Sequence, residues 1–349
     1  MKKVVMAMAC GLIASMAHAQ NSLIIGGIID QGIEVAKGSH SQVRLRDGDN
    51  AASRLIFKGN EDLAGGNHAG FMLENGFIAD TGAEFFGGNR LFGRQAWVEV
   101  GGQWGTMRLG RQYTPSFDGL LKSDAFNVNS NVSPILLITN SAGQGAAKSN
   151  YAARFDNMIA YRSPELGGFA ATLAYAPGEA AGSPRNGSNY GANLVYASGP
   201  VYLYYAYQVQ QTGSAATPVA DPAKTSFHFI GGAYTIGSVR LGATVESDRS
   251  DAPGINRVRH YMLSAVWDVA SANSLRAEVV KRSVTNSALD PYVVTLGWDH
   301  ALSKRTALYT RIVYLHNSSG GGTTINAIPI DAGSGDSGKS IALGVRHLF

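Results

Sequence analysis

The last nine residues, Ile341-Ala-Leu-Gly-Val-Arg-His-Leu-Phe349, read as a β-strand that stops on an aromatic ring. Ile341, Leu343, Val345 and Phe349 share one face at period two, and Ala342, Gly344 and Arg346 share the other. A terminal strand with one apolar face and one small or polar face needs hydrogen-bonded partners on both edges. In a secreted chain the economical arrangement is a barrel closed by pairing the last strand with the first.

The opposite end of the chain agrees with secretion. Lys2 and Lys3 precede a short apolar run, Val4 to Met16, and Ala17-His18-Ala19 is a small-x-small cleavage signal. The run is too short to cross a bilayer as a helix, so residues 1–19 are expected to be a signal peptide and residues 20–349 the barrel domain. The single cysteine, Cys10, falls in the leader. A mature chain without cysteine has neither disulfides nor thiolate chemistry.

Composition narrows the class. The 349 residues carry 29 Lys+Arg against 25 Asp+Glu, a formal charge of +4, and the two leader lysines account for half of that excess. So balanced a chain, without a basic run, is not read as a nucleic-acid binder. Charged residues are 15%, where soluble domains average about a quarter, yet mean hydropathy is −0.04. Few charges, 43 glycines and no long apolar block suit a membrane barrel, whose two faces average to neutral.

Alternation recurs about every twenty residues. Val201, Leu203, Tyr205, Tyr207 and Val209 oppose Tyr202, Tyr204, Ala206, Gln208 and Gln210; Val239, Leu241, Ala243 and Val245 oppose Arg240, Gly242, Thr244 and Glu246. A soluble sandwich shows the same pattern in any one segment. The repetition, with aromatics near segment ends, favours a lipid-facing band. Short turns (Leu166-Gly-Gly168, Ile236-Gly-Ser238, Leu302-Ser-Lys304) alternate with longer connections (Lys37 to Ala52, Gly178 to Gly187, Asn317 to Lys339). The count predicts about sixteen antiparallel transmembrane strands. Two features resist the pattern: Leu23 to Ile29 is apolar on both faces, and Trp97 shares a face with Glu99. A strand in a subunit interface or a shifted register explains either.

The longest connection runs from Tyr113 to about Tyr151. Thr114-Pro115 is placed to cap and open a short helix through Leu121, and the apolar Ile135 to Ile138 predicts a segment packed against the wall. Sixteen strands leave an aqueous lumen, which an inward loop would narrow.

Five stretches carry a resemblance spanning nearly the whole chain: Ser53-Arg-Leu-Ile-Phe-Lys-Gly-Asn-Glu-Asp-Leu63, Gly93-Arg-Gln-Ala-Trp-Val98, Leu109-Gly-Arg-Gln-Tyr113, Leu302-Ser-Lys-Arg-Thr306 and Gly344-Val-Arg-His-Leu-Phe349. Their order and spacing resemble the general porins of Gram-negative outer membranes, most of all those of β-proteobacteria. The resemblance implies a homotrimer of sixteen-stranded barrels, each with a water-filled pore narrowed by the third external loop. It implies wall basic residues at Arg54, Arg94 and Arg154 facing loop acids at Asp118 and Asp124, and a role for Phe349 in recognition by the outer-membrane assembly machinery. Two positions depart from the family pattern: Gly27 stands where some members have a first-strand Lys, and Val128 near the place of a second loop acid. A lost acid tips the constriction toward anions.

The residues themselves add Lys58 and Arg162 to the basic set. Arg54 and Lys58 oppose Leu55 and Phe57, while Arg154 and Arg162 share parity with Ala160. A charge turned to lipid would cost several kcal/mol. Plain solvation at a pore mouth is the competing reading of these charges, and capping of the short helix is that for the two acids. Arg108 and Arg111 suit loop-stem pairing equally well; Lys37, Asp47 and Asp49 read as solvated loop charges. The eight histidines are scattered, with no His-Glu-x-x-His spacing, no Gly-x-Ser-x-Gly elbow and no phosphate loop. Neither a cofactor nor a metal is expected, and the chain is not read as an enzyme. The expected function is passive diffusion of ions and small hydrophilic solutes across the outer membrane, weakly favouring anions. The alternatives are a substrate-specific porin with Tyr202 and Tyr204 as a solute track, or a non-conducting adhesin or structural barrel.

Overall fold

The computed structural model describes residues 22–139, 151–287, 290–325 and 328–349. The expected signal peptide and the side chain of Ile138 lie outside the described residues. Eighteen strand segments run in chain order: β1 (Ser22–Lys37), β2 (Ser41–Asp47), β3 (Arg54–Asp62), β4 (His68–Ile78), β5 (Ala83–Glu84), β6 (Gln95–Gly102), β7 (Gly105–Tyr113), β8 (Arg154–Arg162) and β9 (Phe169–Ala176) form the first half. The second half is β10 (Asn189–Ser198), β11 (Val201–Gln211), β12 (Lys224–Ile236), β13 (Val239–Ser250), β14 (Val258–Ala270), β15 (Asn273–Val284), β16 (Tyr292–Ala301), β17 (Thr306–His316) and β18 (Gly338–Leu348). Two short helices, α1 (Pro115–Leu120) and α2 (Pro134–Thr139), lie between β7 and β8.

These segments build a closed sixteen-stranded antiparallel barrel. β1 pairs along its outer half with β2, from Gln31↔Asp47 to Lys37↔Ser41, and along its inner half with β3, from Ser22↔Asn60 to Ile28↔Arg54. β2 and β3 are therefore one wall strand with residues 48–53 looped out, and β5 is a two-residue piece of the following connection. The first and last strands close the ring from Ile28↔Leu348 to Lys37↔Lys339. Gly27 and Phe349 then exchange both backbone hydrogen bonds, each 3.1 Å.

Alternation sorts the faces as the sequence predicts. Leu173, Leu203, Leu263 and Leu343 stand 53–63% exposed on the outside, where lipid covers them. Asp30, Glu34, Glu74, Glu278 and Arg311 are buried on the inside. The doubly apolar start of β1 keeps the same parity: Ile28 lines the interior, while Ile25 and Ile29 face out. Trp97 and Glu99 both face in, because Arg108 serves both. Its guanidinium lies 3.8 Å over the Trp97 ring and 2.6 Å from the Glu99 carboxylate. Short turns, such as 103–104, 199–200, 237–238 and 271–272, gather at one end, and the longer connections at the other. This is the asymmetry of periplasmic turns and external loops.

The stretch 37–52 departs from its reading as a long loop. Its turn is only 38–40, and Val43 and Leu45 alternate outward while Arg44 and Arg46 ion-pair with the buried Glu34 at 2.6 and 2.7 Å. Nor are Asp47 and Asp49 solvated. Both are buried; Asp47 accepts from the Ala79 amide, and Asp49 lies 3.0 Å from Arg46.

Candidate functional site

From Thr114 to Leu137 the described part of the connection after β7 packs against inner-face side chains of the strands. Thr114 opens α1 as its N-cap, accepting from the Phe117 amide, with Pro115 in the first turn. Inner-face side chains then hold the connection by its backbone. Asn193 donates to the Pro115 carbonyl, Tyr202 to Gly119, Arg240 to Lys122, Ser264 to Ser123 and Thr295 to Val132, at 2.5–2.9 Å. Glu278 accepts from the Ala125 amide at 2.8 Å. At Gly242 the approach is so close that a Cβ would sit 2.2 Å from the Ser123 carbonyl oxygen, so only glycine fits. Of the apolar patch, Ile135, Leu136 and Leu137 are buried in the main core cluster.

Opposite this connection the wall carries a ladder of guanidinium groups. Arg54 and Arg94 share one carboxylate oxygen of Glu74 at 3.0 and 2.8 Å. Arg94 continues to the Tyr113 hydroxyl at 2.8 Å, which also accepts from Arg154, and the Arg154 guanidinium stacks 4.0 Å over the Tyr113 ring. Between ladder and connection lies a cavity of about 640 Å³. Arg54, Arg94, Arg111, Arg154 and Arg346 line it, and among the described residues no carboxylate does. Glu74, the counter-charge of Arg54 and Arg94, is buried behind them. The arrangement is a polar passage with a concentrated positive wall.

Residues 4–320 match the family model described as Gram-negative porin. The chain belongs to the Gram-negative porin family. Outer membrane porin protein 32 of Delftia acidovorans is 31% identical over the full length of both chains. An outer membrane porin protein of Bordetella pertussis is 27% identical over 96% of each. Among solved structures, the anion-selective porin from Comamonas acidovorans matches with a TM-score of 0.81 and 27% identity, covering 94% of this chain and all of that one. The protein is thus an outer-membrane porin, a barrel for passive diffusion of ions and small hydrophilic solutes.

Within the porin, the sequence-derived site residues separate into distinct groups. Arg54, Arg94 and Arg154 come together at the cavity. Lys58 shares the inner parity of Arg54, opposite Ile24, and lies exposed nearer the periplasmic end. Arg162 is exposed at the end of β8 and acts on Asp118 together with Arg108. Parity does not carry from Arg162 to Arg154, because the register shifts between Gly110 and Gln112, and Asn157 opposite adopts φ 55°. Arg154 reaches the cavity through its Tyr113 contact instead.

The two loop acids differ. Asp118 is exposed to the lumen; enclosure by the barrel nevertheless pushes its carboxyl up to about 6, against the opposing pull of Arg108 and Arg162. Asp124 does not line the pore. It is fully buried and accepts from the Phe126 and Val128 amides at 2.6 and 3.1 Å and from the Ser133 hydroxyl. Position 27, where some family members carry a lysine, lies on the outer face, and a Cβ there would meet the Phe349 ring at 2.5 Å. A lysine missing there is no charge missing from the lumen. Tyr202 and Tyr204 form no open track, since both are buried, bonding to Gly119 and Thr244 beneath α1. Arg346, Arg111 and Tyr113 join the pore residues only in the structure, although Arg346 is legible from its parity with Ala342 and Gly344.

Proposed function

We propose that the porin is an anion-favouring diffusion channel, narrowed where the connection after β7 folds inward as the third external loop. The observation that carries this is the cavity wall, with five arginines and, among the described residues, no carboxylate. Arg54, Arg94 and Arg154 attract anions, with Lys58 and Arg162 extending the positive path toward the periplasm and Asp118 as the opposing lumen charge. Transport of this kind needs only water, width and field, with no cofactor and no catalytic step. The anion-selective Comamonas relative supports the same sign.

The working unit is a homotrimer, supported by the exposed apolar outer face of the first strands, which includes Leu23, Ile25, Ile33, Val43 and Leu45. Residues 1–19 are removed on export. Phe349, half exposed beside Gly27 at the seam, is the feature read by the assembly machinery. Planar-bilayer recording of the purified protein under a KCl gradient tests the proposal. Conductance in triplet steps with a chloride-favouring zero-current potential is expected. A cation-favouring potential would refute the arginine constriction, and single-size steps would refute the trimer.

A further inference from the structure

Near the external ends of β13 and β14, the inner face carries a group of side chains that diffusion through the lumen does not use. Glu246 and His260 stand directly opposite each other across the two strands, and Asp248 follows two positions along β13 on the same face. All three are buried. One ligating atom from each lies within 4.8 Å of the others. The three sit two to four positions from the strand ends at Ser250 and Val258, which the connection 251–257 joins.

Their surroundings are apolar. Phe229 stands opposite Glu246 and Phe227 opposite Asp248, both buried. The Tyr151 ring closes over the two phenylalanines edge-on, with centroid distances of 5.4 and 5.7 Å. Val258 and Met262, also buried, flank His260 on β14. Two carboxylates so enclosed call for opposite charge. Arg282, across from His260 on β15, supplies one guanidinium and shares it with the Thr323 hydroxyl at 2.8 Å, so one negative charge is left over. Glu246 Oε2 meets His260 Nδ1 at 2.5 Å. Glu246 Oε1 and His260 Nε2 are buried without a hydrogen bond among the described residues.

Two carboxylates and an imidazole are the donor set of a first-row divalent cation, whereas calcium and magnesium sites are built from oxygens. Zinc binds such atoms at about 2.0–2.2 Å, which sets neighbouring donors about 3.3 Å apart. To reach that spacing the 2.5 Å His260–Glu246 pair opens and the 4.8 Å spread closes, both within the range of side-chain rotation. We propose that Glu246, Asp248 and His260 form a structural site for a divalent transition metal, zinc foremost, that ties β13 to β14 at the external mouth. The ion enters as the barrel folds, before Tyr151, Phe227 and Phe229 seal the cluster. This does not depend on the sign of the pore's selectivity.

Refolding tests it. Purified porin is unfolded in urea, folded into detergent with zinc chloride, desalted, and its zinc counted by mass spectrometry. About one ion per chain should remain. Cobalt chloride in place of zinc should give the intense visible bands of a four-coordinate ion. His260→Gln and Glu246→Gln should each weaken zinc binding by more than about a hundredfold, the upper end of what changes outside the ligand set cost. His228→Gln, exposed on the outer wall, should keep the ion and so controls for adventitious binding. The heat-induced shift in electrophoretic mobility should come at a higher temperature with zinc than with chelator in the parental protein, and at one temperature in His260→Gln. Where a variant does not fold, the parental cobalt spectrum decides. Folded porin that retains no zinc, a weak six-coordinate cobalt spectrum, or zinc held undiminished by His260→Gln would overturn the site. Planar-bilayer conductance is recorded in parallel, so a conducting porin without zinc refutes this site and leaves the channel reading standing.

Discussion

Asp118 and Asp124 share one connection and do opposite work, and each is predicted to fail in its own way. Asp124 satisfies two buried amides and a hydroxyl. Asp124→Ala leaves these donors without a partner, at a cost of roughly 3 kcal/mol. Thermal unfolding followed by the shift from folded to unfolded electrophoretic mobility should register a lower midpoint. Asp118→Asn should not lower that midpoint at neutral pH, and should move the zero-current potential further toward chloride. On the facing wall the change runs the other way. Arg94→Gln removes one of the two guanidinium groups on Glu74, which lowers the positive excess at the cavity. Charges meeting passing ions through water interact by about 1 kcal/mol or less. The chloride-to-potassium permeability ratio should therefore fall roughly two- to fivefold, and a ratio that stays fixed or rises would count against the ladder.

The connection after β7 depends on the strands beneath it as much as on its own residues. Gly242→Val would drive a side chain into the Ser123 carbonyl, where even a Cβ comes within 2.2 Å. The segment around Ser123 must then leave the wall, abandoning the Arg240 and Ser264 bonds. Single-channel conductance should rise, with added current noise; an unchanged conductance would show that this anchor does not set the width. The sequence discloses such elements unevenly. Strand parity, the Thr114 cap and the burial of Ile135 are local patterns, and they are legible. The β2 strand reads as loop because Arg44 and Arg46 look like surface charges until Glu34, on the neighbouring strand, is brought opposite them. The bulge near Asn157 breaks a parity argument, and the glycine that marks it, Gly110 at φ 124°, lies on the partner strand. Asp124 looks like Asp118 because its partners are backbone amides, which leave no trace in side-chain composition. What stays hidden in each case depends on contacts made far along the chain or through the backbone.

At the scale of the whole molecule, the lumen is a shared electrostatic field, and one titrating group biases it near neutral pH. The Asp118 carboxyl is raised to about 6 by its enclosure. Above that pH it is charged and partly offsets the arginines; below it the group is neutral and the wall acts unopposed. Chloride selectivity should therefore grow as pH falls from about 7.5 to about 5, with its midpoint near 6, and Asp118→Asn should flatten the profile at the more anion-selective level. The stability sign follows from the same shift. The folded value lies above the ordinary 3.8, so the folded chain binds this proton more tightly than the unfolded one. Its contribution to stability is fully present below about pH 4 and is lost as pH rises through 6. Asp49, held behind the wall beside Arg46 and pushed up to about 7 by burial, acts in the same direction on stability and, being buried, contributes less to the lumen field. Reversal potentials and unfolding midpoints measured across this window in the parental protein, Asp118→Asn and Asp49→Asn separate the two effects. Asp118→Asn should remove the selectivity midpoint, and Asp49→Asn should alter mainly the stability profile. A selectivity midpoint near 6 that survives Asp118→Asn would place the titrating charge elsewhere in the lumen.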